Sequence, residues 1–248
     1  REKAIIDIFL QGGAAEADIR LQDIGRQQHN VIVVKKGRTN RVVVVGGHFD
    51  KVQRGRGTLD NWTGATMVAN LYQALSGVET DATFVFIAFG REEEGLVGSR
   101  AYVQGLAGAE RAKIDAMINL DTLAVDGTFS WENNSDRPLL EKILRVAREG
   151  GFAHAPMRLS GGDSDSSSFR RAGIPAMTVL GASNAVIWDI IHSENDTMKW
   201  FSLAHYKNAY LLTLALLKTL DVEPVRRGPI ADLSANWARV LRARLGAG

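Results

Sequence analysis

The sequence predicts a single α/β domain with a mixed, largely parallel central sheet and helices on both faces. Three observations carry this. Short β-branched runs alternate along the chain with amphipathic stretches, the order that arises when each crossover lays a helix on the sheet. The strand-like segments are near-continuous apolar runs, as in Val42 to Val45 and Phe84 to Phe89, which suits strands covered on both sides. With 248 residues, 45% of them hydrophobic, the chain can bury one sizeable core, and its length demands no more than one domain.

The elements follow in order. Apolar residues three and four apart predict a helix over 3 to 10. Two runs with period-two character, 17 to 24 and 29 to 36, flank the polar break from Gly25 to Gln28 and are expected to pair as a hairpin. Further strands are expected at 41 to 47, 82 to 89, 115 to 121 and 174 to 180. Helices are expected at 62 to 76, 97 to 107, 137 to 149 and 202 to 219. A last helix over 232 to 245 carries the stripe Leu233, Trp237, Val240, Leu241 and Leu245, with Arg239, Arg242 and Arg244 pointing elsewhere. The proposed division is therefore a domain over 1 to 222, with 223 to 248 as a linker and a helix docked on it; two prolines and a glycine between Glu223 and Pro229 mark the linker. There is no internal repeat and no low-complexity tract.

Composition removes several classes of function. Thirty Lys and Arg against 28 Asp and Glu give a formal charge of +2, too small and too evenly spread to attract nucleic acid. The chain has no cysteine, so disulfides, thiolate metal sites and thiol nucleophiles are excluded, and any metal must sit on His, Asp and Glu. No apolar run approaches the roughly 20 residues of a membrane-spanning helix. The chain begins at Arg1 rather than Met, which is read as compatible with a removed leader.

Chemistry gathers where strands end. The run Arg41 to Gly47 leads directly into His48 and Asp50, the run 82 to 89 into Glu92, Glu93 and Glu94, and the run 114 to 120 into Asp121. In open α/β sheets ligands bind at the carboxyl ends of strands. One carboxylate after a strand ordinarily caps a turn or helix, and a Glu triplet is ordinarily a solvated charge run. Three strand ends converging on acid and imidazole depart from that reading. His48 and His192 become candidate metal ligands beside carboxylates, whereas His29, His154 and His205 keep the ordinary reading of satisfied buried histidines. Asp60, Glu93, Asp121 and two neutral imidazoles around two Zn²⁺ leave a residual charge of about +1, four positive charges less three, enough to hold a hydroxide.

Six segments occur in order: His48-Phe-Asp50; Leu59-Asp60-Asn61-Trp-Thr-Gly64; Glu92-Glu93-Glu94-Gly-Leu-Val-Gly-Ser99; Asn119-Leu-Asp121; Ser164-Asp165-Ser-Ser-Ser-Phe169 with Gly173-Ile-Pro175; and His192-Ser-Glu-Asn-Asp196-Thr197. This set resembles the co-catalytic zinc aminopeptidases, typified by bacterial leucyl aminopeptidase and yeast aminopeptidase Y, with glutaminyl cyclase as a cousin. The likeness covers roughly residues 30 to 220. It implies the zinc-exopeptidase fold, two Zn²⁺ ions and a peptide substrate with a free N-terminus, and it leans towards export. It implies that Asp60 bridges the metals, with His192 and Glu93 on one ion and His48 and Asp121 on the other. It makes Glu92 the general base for a water held by both metals; read without the resemblance, Glu94 is equally eligible. It places Asp50 and Asp165 behind the ligands, where such a carboxylate accepts the free N–H of an imidazole and fixes its tautomer. It also implies a cis peptide bond between Asp60 and Asn61. Two positions depart from the family pattern: Ser166 stands where a His is usual, and Ile191 where a Tyr often precedes the last ligand and donates to the oxyanion.

Two other readings remain. A glutaminyl cyclase uses a similar ligand set with one zinc, and Trp188 shortly before His192 is loosely similar to it, although the uninterrupted Glu94-to-Ser99 segment follows the aminopeptidase pattern. A catalytically silent, peptidase-like binding module would have lost ligands, and all five are present. Phe129 and Trp131 are expected either as pocket walls or as ordinary core. The pattern sets neither the preferred first residue of the substrate nor an oligomeric state.

Overall fold

The computed structural model of the protein describes residues 1–225, and the helix expected at 232 to 245 lies outside them. In chain order the elements are α1 (Glu2–Gln11), β1 (Ile19–Asp23), β2 (His29–Lys35), β3 (Val42–His48), α2 (Thr63–Ser76), β4 (Thr83–Phe89), α3 (Val97–Gln104), α4 (Gly108–Lys113), β5 (Ile114–Asp121), β6 (Phe129–Trp131), α5 (Arg137–Gly150), β7 (Ala155–Met157), α6 (Asp165–Arg171), β8 (Ala176–Leu180), α7 (Ile187–Ile190) and α8 (Leu203–Val222). None of these helices is long and apolar enough to cross a membrane.

The strands form one eight-stranded sheet in the order β1-β2-β4-β3-β5-β8-β6-β7. Its centre, β4-β3-β5-β8, is parallel. The β1-β2 hairpin adds antiparallel to β4 on one side, and β6 adds antiparallel to β8 on the other. The expected hairpin and mixed sheet are both present. After β3 the chain steps to β4 and then crosses back to place β5 on the other flank of β3. The carboxyl ends of β3 and β5 therefore face a crevice at a topological switch point, where open sheets take their ligands.

Both faces of the sheet are covered. On one face Ile5 and Phe9 of α1, Leu71 and Leu75 of α2, Ile143 of α5 and Leu216 of α8 pack on Val43, Val45, Phe84 and Phe86. On the other, Tyr102 and Val103 of α3 and Phe169 of α6 pack on Val44, Ile87 and Phe89. The rings of Phe89, Tyr102 and Phe169 lie 5.9 to 6.5 Å apart. Phe169 is fully buried, and truncating such a ring to Ala costs about 3–5 kcal/mol. That ring anchors a helix preceded by Asp163, a residue of the crevice wall.

Where the elements depart from expectation, the cause is local. The helix expected over 97 to 107 stops at Gln104 with Gly105 at its end, and a separate helix begins at Gly108. Strands β6 and β7 are three residues long, too short to show a period. Helix α6 carries three consecutive serines, residues that favour caps over helix interiors, so tertiary packing through Phe169 rather than propensity makes it helical.

Candidate active site

Six of the residues singled out in the sequence meet at the carboxyl edge of the sheet. His48 closes β3 and Asp121 closes β5. Glu92 and Glu93 follow β4 in a turn where Gly95 and Leu96 both donate their N–H to the Glu92 carbonyl. Asp60 lies in an irregular turn before α2, where it and Asn61 leave helical geometry (φ −108°, ψ 94° and φ −137°, ψ 51°) and the bond between them is cis, as the resemblance implies. His192 sits just beyond α7 at φ 57°.

The Asp60 carboxylate stands between the two imidazoles. Its Oδ1 is 3.2 Å from His48 Nε2 and its Oδ2 is 3.4 Å from His192 Nε2. Glu93 Oε2 lies 2.9 Å from His192 Nε2. On the opposite side Asp121 Oδ1 lies 3.8 Å and Glu92 Oε2 4.0 Å from His48 Nε2. His48, Asp60 and Glu93 each present a ligand atom within 4.8 Å of the others.

Several residues fix these positions. Asp50 accepts the backbone N–H of Glu92 through Oδ1 and that of Glu93 through Oδ2, at 3.0 and 3.1 Å, and its Oδ1 is 3.3 Å from His48 Nδ1. One carboxylate thus ties the end of β3 to the turn after β4. Asn61 donates through Nδ2 to the Leu120 carbonyl and accepts from the N–H of Gly64 and Thr122, locking the Asp60 turn to the end of β5. A Cβ on Gly64 would come within 2.2 Å of the Leu120 oxygen, so only glycine permits this approach. Asp196 is buried, and its Oδ1 accepts the Leu59 N–H at 2.7 Å, joining the His192 loop to the Asp60 turn. Ser164 Oγ donates to Asp121 Oδ2 at 2.8 Å, and Thr122 Oγ1 donates to Oδ1 at 3.1 Å. The sequence pattern assigns no task to Asn61, Ser164 or Asp196, although each lies within a quoted motif.

Asp165 does not show the contact expected of it. It is fully buried at the start of α6, and neither carboxylate oxygen has a hydrogen-bond partner. Of the two expected supporting carboxylates, only Asp50 comes within ion-pair distance of an imidazole, and His48 Nδ1 makes no hydrogen bond to it. The other histidines also depart from expectation. All three are only partly buried; His29 pairs with Glu2 at 3.1 Å, whereas neither ring nitrogen of His154 has a partner, and burial pushes that ring down to about 4. At the family's usual His position, Ser166 Oγ instead lies 2.7 Å from Thr178 Oγ1. Glu94 is not part of the crevice wall and pairs with Arg26 and Arg91.

The electrostatics show what the site is short of. Among the described residues no Lys or Arg forms an ion pair with Asp60, Glu92, Glu93 or Asp121. Burial pushes the His48 imidazole down, but the carboxylates of Glu92, Asp121, Asp50 and Asp60 outweigh it and hold the ring well above its ordinary range. Glu93 foremost, and Asp60 after it, raise His192 against burial. Burial lifts Asp60 to about 6 despite His48, with Asp121 and Glu93 adding repulsion, and burial lifts Glu92 well above the usual carboxylate range. Asp121 stays below that range because His48, Ser164 and Thr122 outweigh its burial. Glu93 Oε1 is buried without a partner. Buried acceptors converging without a cation form a donor set of imidazole and carboxylate that fits divalent zinc.

Above these acids is a pocket of about 110 Å³, against the roughly 10–15 Å³ one water occupies on the same measure, so a small side chain can enter. Its walls include Trp131, Leu159, Ile187, Trp188 and Ile191. Trp131 is therefore a wall, while Phe129 packs in the small cluster behind it.

A profile of peptidase family M28 matches residues 30–217. Aminopeptidase YwaD of Bacillus subtilis (strain 168) is 31% identical over 170 residues, covering 60% of this chain and 37% of that protein. Among solved structures, the aminopeptidase from Aneurinibacillus sp. strain AM-1 superposes with a TM-score of 0.70 at 26% identity, covering 82% of this chain and 50% of the other. The zinc aminopeptidase from Bacillus subtilis gives 0.69 at 26%, covering 77% and 49%. The chain thus spans a little over a third of YwaD and about half of these two solved chains.

Proposed function

The chain belongs to peptidase family M28, and on that premise we propose that it is a zinc aminopeptidase, hydrolysing the N-terminal peptide bond of peptides that carry a free amine. The observation that carries this reading is the Asp60 carboxylate set between His48 and His192, with Glu93 and Asp121 on its two sides. The zinc aminopeptidase among its structural relatives supports zinc as the metal.

Two zinc ions suit this arrangement. Asp60 would offer one oxygen to each, with His192 and Glu93 holding one ion and His48 and Asp121 the other. Bound there, zinc supplies a Lewis acid for the scissile carbonyl and lowers the pKa of water. The protein's own residues do the rest. Glu92 shares the pocket with Glu93 but lies on the His48 side, from where its carboxylate takes the proton of the attacking water and returns it to the leaving amine. Asp50 holds the backbone of both glutamates and so keeps acceptor and ligand aimed at different points. Ser164 donates to Asp121 Oδ2, while Oδ1, which also accepts from Thr122, faces His48. The apolar walls hold the side chain of the first residue and exclude bulk water.

The test is zinc analysis of protein purified without chelator, combined with assays on a Leu-initiated and a Gln-initiated peptide. Bound zinc with release of free leucine is expected. Cyclisation of the Gln peptide without leucine release would make the chain a glutaminyl cyclase, and protein that takes up no zinc from zinc buffer would make it a silent module.

A further inference from the structure

The catalytic pocket is adjoined by a chain of depressions that the hydrolytic chemistry does not use. Gly162 and Asp163 line the pocket itself and also a neighbouring depression of about 200 Å³, which Asn134, Ser167, Arg170 and Arg171 complete. Arg171 in turn lines a third, of about 310 Å³, with Arg100, Arg111, Val103 and Gln104. Gly162 and Asp163 are common to the first two and Arg171 to the last two, so the three lie side by side as one grooved face, from the candidate metal-ligand cluster past the start of α6 to its far end. Helix α6 is seven residues long, about 10 Å at 1.5 Å per residue, and an extended peptide covers that span with about three residues.

The groove is cationic. Four arginines line it. Of the acidic groups beside it, Asp163 is engaged by Arg171 and Asp136 by Arg170. That leaves Arg100 and Arg111 without a carboxylate partner among the described residues: Arg100 is exposed, and Arg111 donates only to the Val103 carbonyl, with its Nε buried and unpartnered. Uncompensated positive charge over a partly apolar floor suits an extended chain bearing carboxylates.

We propose that this groove binds the part of the peptide downstream of the cleaved bond and makes the enzyme prefer substrates with acidic residues at about the third and fourth positions. This rests on the aminopeptidase reading and adds the substrate class to it. Exposed Arg–carboxylate pairs are individually weak and screened by salt, so the preference is set by two or more acting together.

The experiment compares kcat/KM, at low salt on the zinc-loaded protein, for Leu-Ala-Glu-Glu-Ala and Leu-Ala-Lys-Lys-Ala, with leucine anilide, which has no downstream residues, as internal reference. The expected result is a preference of about three- to tenfold for the glutamate peptide, shrinking as salt rises, and falling to near one in Arg100→Ala/Arg111→Ala with anilide turnover unchanged. Arg100→Glu, at an exposed position, should by itself reduce the ratio. Equal rates on the two peptides in the wild type, or a ratio that survives both arginine substitutions, overturns the groove. If leucine anilide itself is not cleaved, the aminopeptidase reading falls, and this inference falls with it.

Discussion

Replacing Asp165 with Asn should stabilise the metal-free protein, and by an amount that depends on pH. Asp165 is fully buried, and neither oxygen has a hydrogen-bond partner. Burial, with smaller contributions from Asp121 and Asp50 and against the pull of His48, raises its carboxyl from 3.8 to about 7. Below about pH 3 the proton is largely bound in both folded and unfolded chains, and at pH 4 the residue still shifts the balance by less than about 1 kcal/mol. As pH rises the unfolded chain gives up its proton near the ordinary value, while the folded chain holds it until about 7. Stability therefore falls through that window and levels off above it. The gap is about three pH units, and at roughly 1.4 kcal/mol for each the loss is about 4 kcal/mol at most. Asn has the same shape and cannot ionise. The assay is urea unfolding of chelator-treated wild type and Asp165→Asn at pH 4, 6 and 8, with ΔG from linear extrapolation. The variant should match the wild type to within about 1 kcal/mol at pH 4 and exceed it by several kcal/mol at pH 8. A constant difference across the range, or a variant that loses stability as pH rises as steeply as the wild type, would refute the argument.

The three neighbouring glutamates should separate cleanly. Glu92→Gln should keep its zinc and lose turnover by about 10² to 10⁴, Glu93→Gln should lose zinc on dialysis and recover activity with excess metal, and Glu94→Gln, already paired with arginines outside the crevice, should change neither; zinc content beside turnover reads all three, and zinc loss from Glu92→Gln with retention in Glu93→Gln would shift the register by one. Asp50→Ala should lower both zinc affinity and kcat, because it releases His48 and the 92–93 backbone together; a variant that changes KM alone would sink that reading. In a zinc-soaked crystal two ions should lie roughly 3.5–4 Å apart with His48 and His192 on different ions, and both imidazoles on one ion would contradict the assignment.

Much of the candidate site is legible in the sequence, and for a definite reason. Apolar runs at 42 to 45 and 84 to 89 read as interior strands of a covered sheet, and a parallel sheet puts the ends of such strands along one edge. Hydrophobic pattern alone therefore brings His48, Glu92, Glu93 and Asp121 together. Asp60, His192 and Asp50 lie on turns whose course that pattern does not set, and their roles follow from resemblance. Elements too short to show a period, β6, β7, α6 and α7, give no signal of their own, and most of the pocket wall goes with them.

The sequence by itself determined the fold class, the covered sheet and the cluster of acid and imidazole at strand ends, because these follow from local hydrophobic pattern and residue chemistry. Only the tertiary structure decided which side chains face which. It turned one oxygen of Asp60 to each histidine, gave Asp50 the task of joining β3 to the turn after β4, brought Ser164, Asn61 and Asp196 into the hydrogen bonds around the candidate ligands, and left Asp165 buried without such a bond. Those outcomes depend on where α6 packs through Phe169 and on how three loops, far apart in sequence, hydrogen-bond to one another. Contacts of that kind are set by the packing of the whole sheet, and no window of sequence contains them.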